Sequence, residues 1–222
     1  MIVRIRLEGI TPMLQNRAGD EVLDSLWVAQ GGILDEGELC PKSNKGKGYR
    51  QYCEEYCMYR GPNNEFGIPA QNLFASLRGG GRRVKLEGMT RVSSKDSTLL
   101  TGALTILEDF LMFENQEKIS WVPDRRRGQA SNSAKKAMVP VIRPRFDKWS
   151  LWVTVDIDKA EIPEDKIKRV FEKAGRTSGI GDFRPSTNGP FGQFKVTEWQ
   201  VVEATEDDEI DTIQVPAPSA TI

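Results

Sequence analysis

The chain has 222 residues, with 31 Lys and Arg against 32 Asp and Glu, a formal net charge of −1 at pH 7, and no histidine. The missing histidine excludes Ser-His-Asp and Cys-His nucleophilic catalysis, His acid–base chemistry and His-ligated metal sites. No stretch approaches the roughly 20 apolar residues of a membrane span, and the alternating N-terminus reads as a strand, not a signal peptide, so a soluble cytoplasmic protein is expected.

Residues 2–8 alternate, with Val3, Ile5 and Leu7 on one face and Arg4, Arg6 and Glu8 on the other, which predicts a strand. Gly9, Thr11 and Pro12 end it. Residues 13–38 are poorly periodic. The polar stretch 40–64 places Lys42, Lys45, Lys47 and Arg50 around Gly46 and Gly48, which predicts a flexible basic insertion and a short helix near Tyr52–Tyr59. A helix follows from Ile68 to Arg78, with Pro69 near its start and Gly79, Gly80 and Gly81 ending it. Thr98 to Leu107 is β-rich. Residues 114–138 are polar and predict a long mobile loop, and Val139–Ile142 a short strand leading into Arg143, Pro144 and Arg145.

The last third has the clearest pattern. Trp149, Leu151, Val153 and Val155 alternate with polar residues and predict a strand. Ile167, Val170, Phe171 and Ala174 recur at helical spacing after Pro163, with Gly175 as a cap. A final strand has Phe194, Val196 and Val202 on one face and Trp199 and Val201 on the other. Two strand–helix–strand halves predict an α+β, ferredoxin-like (RRM-like) βαββαβ core. Residues 1–202 form one domain on this reading, with large insertions at about 40–64 and 114–138. Residues 203–222 form an acidic, disordered tail.

Charge is unevenly spread. Residues 203–211 hold six acids and no base, and without them 26 acids face 31 bases. A basic body with an acidic tail suits a nucleic-acid binder whose tail competes for the basic surface. The bases cluster as Lys42–Arg50, as Arg78, Arg82, Arg83 and Lys85, and as Arg125, Arg126, Arg127, Lys135, Lys136, Arg143, Arg145 and Lys148. Loop-borne cations follow a phosphate backbone, and Trp121, Phe146, Trp149 and Phe183 are candidates to stack on bases. Cys40, Cys53 and Cys57 offer three thiols, but without a C-x2-C knuckle or a fourth ligand they are packed side chains before they are a zinc site. Asp156/Asp158 and Glu108/Asp109 are the carboxylate pairs a Mg²⁺-dependent nuclease would need. No P-loop or dinucleotide fingerprint is present, and no cofactor is expected.

The stretch from Gly179 to Phe194 holds Gly179, Gly181, Gly189 and Gly192 around Arg184, a composition suited to a strained loop that approaches phosphate. Gly179-Ile180-Gly181 and Gly189-Pro190-Phe191-Gly192 resemble the glycine-rich loop of the RAMP superfamily, the ferredoxin-like RNA-binding proteins of CRISPR systems. The second part has one residue more than the family's glycine-x-glycine. The opening Ile5 to Leu14 is similar to the family's first strand and turn, and Ile68-Pro69-Ala70 through Arg78 to its first helix. The resemblance implies a backbone subunit that lines a guide strand as a filament, with insertions shaped like fingers and thumb. A stand-alone, phage-encoded relative would carry the same residues. The expected function is non-catalytic binding of single-stranded nucleic acid, RNA before DNA, with self-assembly along it. The rivals are a metal-dependent nuclease using carboxylates and a structural or inhibitory protein acting through protein contacts.

Overall fold

The computed structural model describes residues 1–17, 24, 27–31, 46–88, 90–129 and 138–202. Cys40, Lys42, Lys45, Lys135, Lys136 and the acidic tail lie outside the described residues.

Strand β1 (Ile2–Gly9) leads through β2 (Met13–Leu14), helix α1 (Tyr49–Tyr56) and β3 (Gly67–Pro69) into helix α2 (Ala70–Gly81). One helical turn, α3 (Leu100–Ala103), precedes β4 (Leu104–Ile106) and β5 (Phe110–Met112). Strands β6 (Val122–Gln129) and β7 (Met138–Phe146) follow, then β8 (Ser150–Ile157), α4 (Glu164–Thr177) and β9 (Phe194–Val201). The main sheet has the order β4-β8-β1-β9, and every neighbouring pair is antiparallel. The two halves β1–α2–β4 and β8–α4–β9 therefore interleave, which is the ferredoxin-like βαββαβ fold.

Strict alternation builds this sheet. Val3, Ile5 and Leu7 of β1 and Leu151, Val153, Val155 and Ile157 of β8 are buried in one core with Leu73 and Leu77 of α2 and Ile167, Val170 and Phe171 of α4. A bulge opposite Arg6 and Leu7 shifts the register of β9. It brings Trp199, expected on the face opposite Phe194, against core residue Phe171, with ring centroids 5.9 Å apart.

Other expectations are corrected. Helix α2 continues through Gly79–Gly81 instead of ending at Arg78. A Cβ on Gly80 would lie 2.5 Å from Val170 O and 2.6 Å from Ala174 N, so glycine here admits α4 and does not break the helix. Gly175 likewise lies inside α4 and faces the backbone of Phe194. The β-rich stretch 98–107 is strand only over Leu104–Ile106, after the α3 turn. The largest difference is at 114–138. There β6 pairs with β7 from Val122↔Arg145 to Gln129↔Met138 as a long hairpin, and β7 runs well beyond Val139–Ile142. Three successive arginines and a glycine erase the alternation that would mark β6 in the sequence. Pairing also comes from β2, giving a second sheet of order β2-β7-β6.

Candidate nucleic-acid interface

The hairpin is a two-faced ribbon. Residues 122, 124 and 126 share one face with Val141, Arg143 and Arg145, and residues 123, 125 and 127 the other with Pro140, Ile142 and Pro144. Helix α1 packs on the second face, where Cys57 Sγ donates to Ile142 O at 3.6 Å. Arg125 leaves this face over the exposed ring of Tyr49, with its guanidinium carbon 5.0 Å from the centroid. Arg127 is exposed beyond it.

The first face meets the glycine-rich loop. Arg143 Nε lies 2.7 Å from Asp182 Oδ2. Arg126 lies 4.6 Å over the ring of Phe191, and its Nη2 and Nε donate to the two oxygens of Asp124 at 3.0 and 2.5 Å. That carboxylate holds the Arg126 guanidinium above its ordinary pKa. Arg145 pairs with Asp147 at 2.8 Å and reaches Asp124 at 3.7 Å. Thus Arg126, Arg143 and Arg145 are matched by acids of this chain, while Arg125 and Arg127 make no ion pair among the described residues.

The loop is shaped by its glycines. Gly179, Gly181 and Gly192 have φ of +69°, +85° and +68°, a region open to glycine at no steric cost. The close approaches they allow are intramolecular. A Cβ on Gly181 would meet Leu14 O, on Gly192 Ile180 O, on Gly189 Phe183 O, and on Gly179 Pro185 Cδ. Arg184 Nη1 donates to Gly181 O at 2.6 Å, bracing the loop from inside. Asp182 N donates to Leu14 O at 2.8 Å, joining the loop to β2 and hence to the hairpin sheet.

Helix α2 borders the same loop, since a Cβ on Gly79 would meet Ser178 Oγ and Asn72 lines a small cavity with Arg184. Arg78 and Arg83 are exposed near its C-terminal end. Arg82 is turned back, its Nε donating to Ser94 O at 3.0 Å.

Three of the four aromatic candidates are structural. Phe146, Trp149 and Trp121 are buried, and Arg50 stacks 4.2 Å over Trp121. Phe183 remains half-buried beside Phe191. The polar residues Asn16, Tyr59, Asn72 and Asp182, which no motif marks, line the cavity beside Arg184.

The sheet face away from the helices is a poor platform for a strand. Its aromatic, Trp152, is covered by Arg4 at 4.6 Å and donates from Nε1 to Glu114 Oε1 at 2.9 Å. Arg6 is held by Glu114, Glu8 and Glu198. Lys195 likewise pairs with Glu8 at 3.3 Å, so most of the cations on this face are already matched.

The other candidates have local duties. Asp156 Oδ1 takes a hydrogen bond from the N-terminal ammonium at 3.0 Å, and Asp158 Oδ1 one from Ala160 N at 2.9 Å. Glu108 accepts from Thr154 N. Cys53 is buried, and burial pushes its thiol up to about 12. Among the described residues no group of three Cys, Asp or Glu is placed to hold a metal ion, and no helix is long and apolar enough to cross a membrane.

No family model matches the sequence, and no curated protein is similar to it. Among solved structures, the chain is similar to a chain of the type III-B Cmr-beta complex bound to cognate target RNA, with a TM-score of 0.48 and 13% identity. The match covers 92% of this chain and 61% of that one. A likeness this weak bears on neither function nor partners. The class defined by the strand order itself is a ferredoxin-like α+β protein with an arginine-bearing hairpin docked on a glycine-rich loop.

Proposed function

We propose that this protein binds single-stranded nucleic acid, RNA in preference to DNA, without cutting it, and assembles in several copies along the strand. Membership of the RAMP superfamily, as a backbone subunit or a stand-alone relative, is part of this reading. The observation that carries it is the contact between Arg143 and Asp182. It makes one surface of two regions that the sequence marks independently, the arginine run and the glycine-rich loop. On that surface the acids of the chain already satisfy Arg126, Arg143 and Arg145, so these arginines set its shape. Arg125 and Arg127 on the opposite face of the hairpin, Arg78 on α2 and Arg83 just past its end are left to meet phosphates. Arg184 and the loop glycines join the hairpin to α2, and Tyr49 and Phe183 supply ring faces for unpaired bases.

The test is a titration of the protein into labelled single-stranded RNA and DNA at several salt concentrations, with particle size followed in the same samples. The expected result is salt-sensitive binding, tighter to RNA, with particles that grow with strand length. Absence of binding to either strand at low salt would overturn the proposal.

A further inference from the structure

Between the start of α2, the chain after β2 and the glycine-rich loop lies a cavity of about 130 Å³ lined by Asn16, Tyr59, Asn72, Gly181, Asp182 and Arg184. It holds several times one water's share of about 30 Å³. Its walls are fixed from behind. Buried Gln15 takes a hydrogen bond from Tyr59 N at 2.9 Å and donates to Gly67 O at 2.9 Å, which sets the position of Tyr59. Asp182 is held through its own N–H by Leu14 O, and Arg184 through Nη1 by Gly181 O. Two polar atoms behind this wall are under-used. Arg143 Nε and Asp182 Oδ2 are both sealed from solvent and close together, yet not aligned as a hydrogen bond. The amides of Asn16 and Asn72 make no hydrogen bond among the described residues.

A cavity with this inventory discriminates between ligands. A phosphate would meet the Asp182 carboxylate and be repelled. A neutral planar group carrying adjacent N–H donors on one edge and acceptors on another fits all the walls, and guanine has that pattern. Its N1–H and N2–H groups suit Asp182 Oδ1, the carboxylate oxygen not sealed against Arg143, which keeps a lone pair beyond the bond from Phe183 N. Its O6 and N7 suit the remaining N–H groups of Arg184. The Tyr59 ring offers a stacking face for a base turned out of the strand.

We propose that this cavity takes one guanine base from the bound strand, so that binding has a sequence preference. The proposal rests on the nucleic-acid-binding function above, and the experiment separates the two.

Full-length protein is titrated into a labelled uridine homopolymer RNA and into versions in which scattered uridines are replaced by guanosine, adenosine or cytidine. The guanosine version is expected to bind at least about fivefold tighter than the others, the discrimination of one good bidentate pair. In Asp182→Asn, whose amide presents N–H groups to the guanine donors, the ratio of guanosine to uridine affinities is expected to fall to about one. Asn72→Ala, at a half-buried helix position where alanine favours the helix, is expected to reduce the same ratio. Homopolymer binding with no preference for guanosine overturns the guanine site and leaves the general function standing. Preference for adenosine or cytidine, or a guanosine preference that persists in folded Asp182→Asn, also overturns it. No binding to any RNA removes both.

Discussion

Arg143 of β7 and Asp182 of the glycine-rich loop meet at 2.7 Å, 39 positions apart in the chain, with the facing atoms sealed from water. Removing one member of such a pair leaves the other buried without its counter-charge. Arg143→Ala is expected to destabilise the fold by about 1–3 kcal/mol. Arg143→Lys should recover only part of this, because an ammonium lacks the planar fork that the site accommodates. Urea unfolding of the three proteins checks it, and a midpoint unchanged in Arg143→Ala would contradict the coupling of hairpin and loop.

Gly80 is the point at which α2 meets α4. A methyl group there would press on Val170 O and Ala174 N, which are backbone atoms and cannot swing away. Gly80→Ala gains helix propensity of roughly 1 kcal/mol but overpacks the contact, at a typical cost of about 1–3 kcal/mol. Net destabilisation is expected. Gly102→Ala, where a Cβ meets nothing within 4 Å, is expected to be neutral or slightly stabilising. Thermal melts of the two variants make the comparison, and equal shifts would contradict the packing assigned to Gly80.

Glu114 anchors the outer sheet face. Burial pushes its carboxyl up, but the hydrogen bonds from Arg6, Ser150 and Trp152 and the charge of Arg6 outweigh this, so its pKa lies below the ordinary value. A carboxylate depressed by folding stabilises the protein above its unfolded pKa of about 4.3, and that contribution disappears as pH falls through the lower folded value. Stability should therefore drop below about pH 4 in the wild type and more shallowly in Glu114→Gln. Unfolding midpoints between acidic and neutral pH test this, and superimposable pH profiles would contradict the role of Glu114.

Burial holds the Cys53 thiol at about 12, far above neutrality. Since the thiolate is the nucleophile, a thiol reagent at mildly alkaline pH should modify Cys53 in the folded protein at least tenfold more slowly than in urea, roughly as the thiolate fraction dictates. Mass mapping of the modified cysteines gives the rates, and fast modification of Cys53 in the folded state would contradict its burial.

The core was legible because it follows elementary periods. Val3, Ile5 and Leu7 alternate on β1, Leu151, Val153 and Val155 on β8, and Ile167, Val170, Phe171 and Ala174 recur at helical spacing, so both βαβ halves could be read. Glycines misled. Gly79–Gly81 and Gly175 suggest helix ends, yet each lies within a helix where another backbone or side chain approaches. The hairpin was hidden because β6 buries so little that it has no alternation to read. At the candidate site, the arginines and glycines stood out by composition, but their pairing did not. Nothing in the sequence says that Asp124 answers Arg126 or that Asp182 answers Arg143. Asn16, Tyr59 and Asn72 are brought together by contacts between distant segments, and single polar residues leave no pattern for such contacts.

The central claim, that the hairpin's unmatched guanidiniums hold the nucleic-acid backbone, is tested most directly by the salt dependence of RNA binding in Arg125→Ala/Arg127→Ala. Loss of two phosphate contacts should weaken binding at every sequence and reduce the magnitude of the slope of log affinity against log salt by about 1.4, at about 0.7 per contact on a single strand. An affinity and slope equal to those of the wild type would contradict the account.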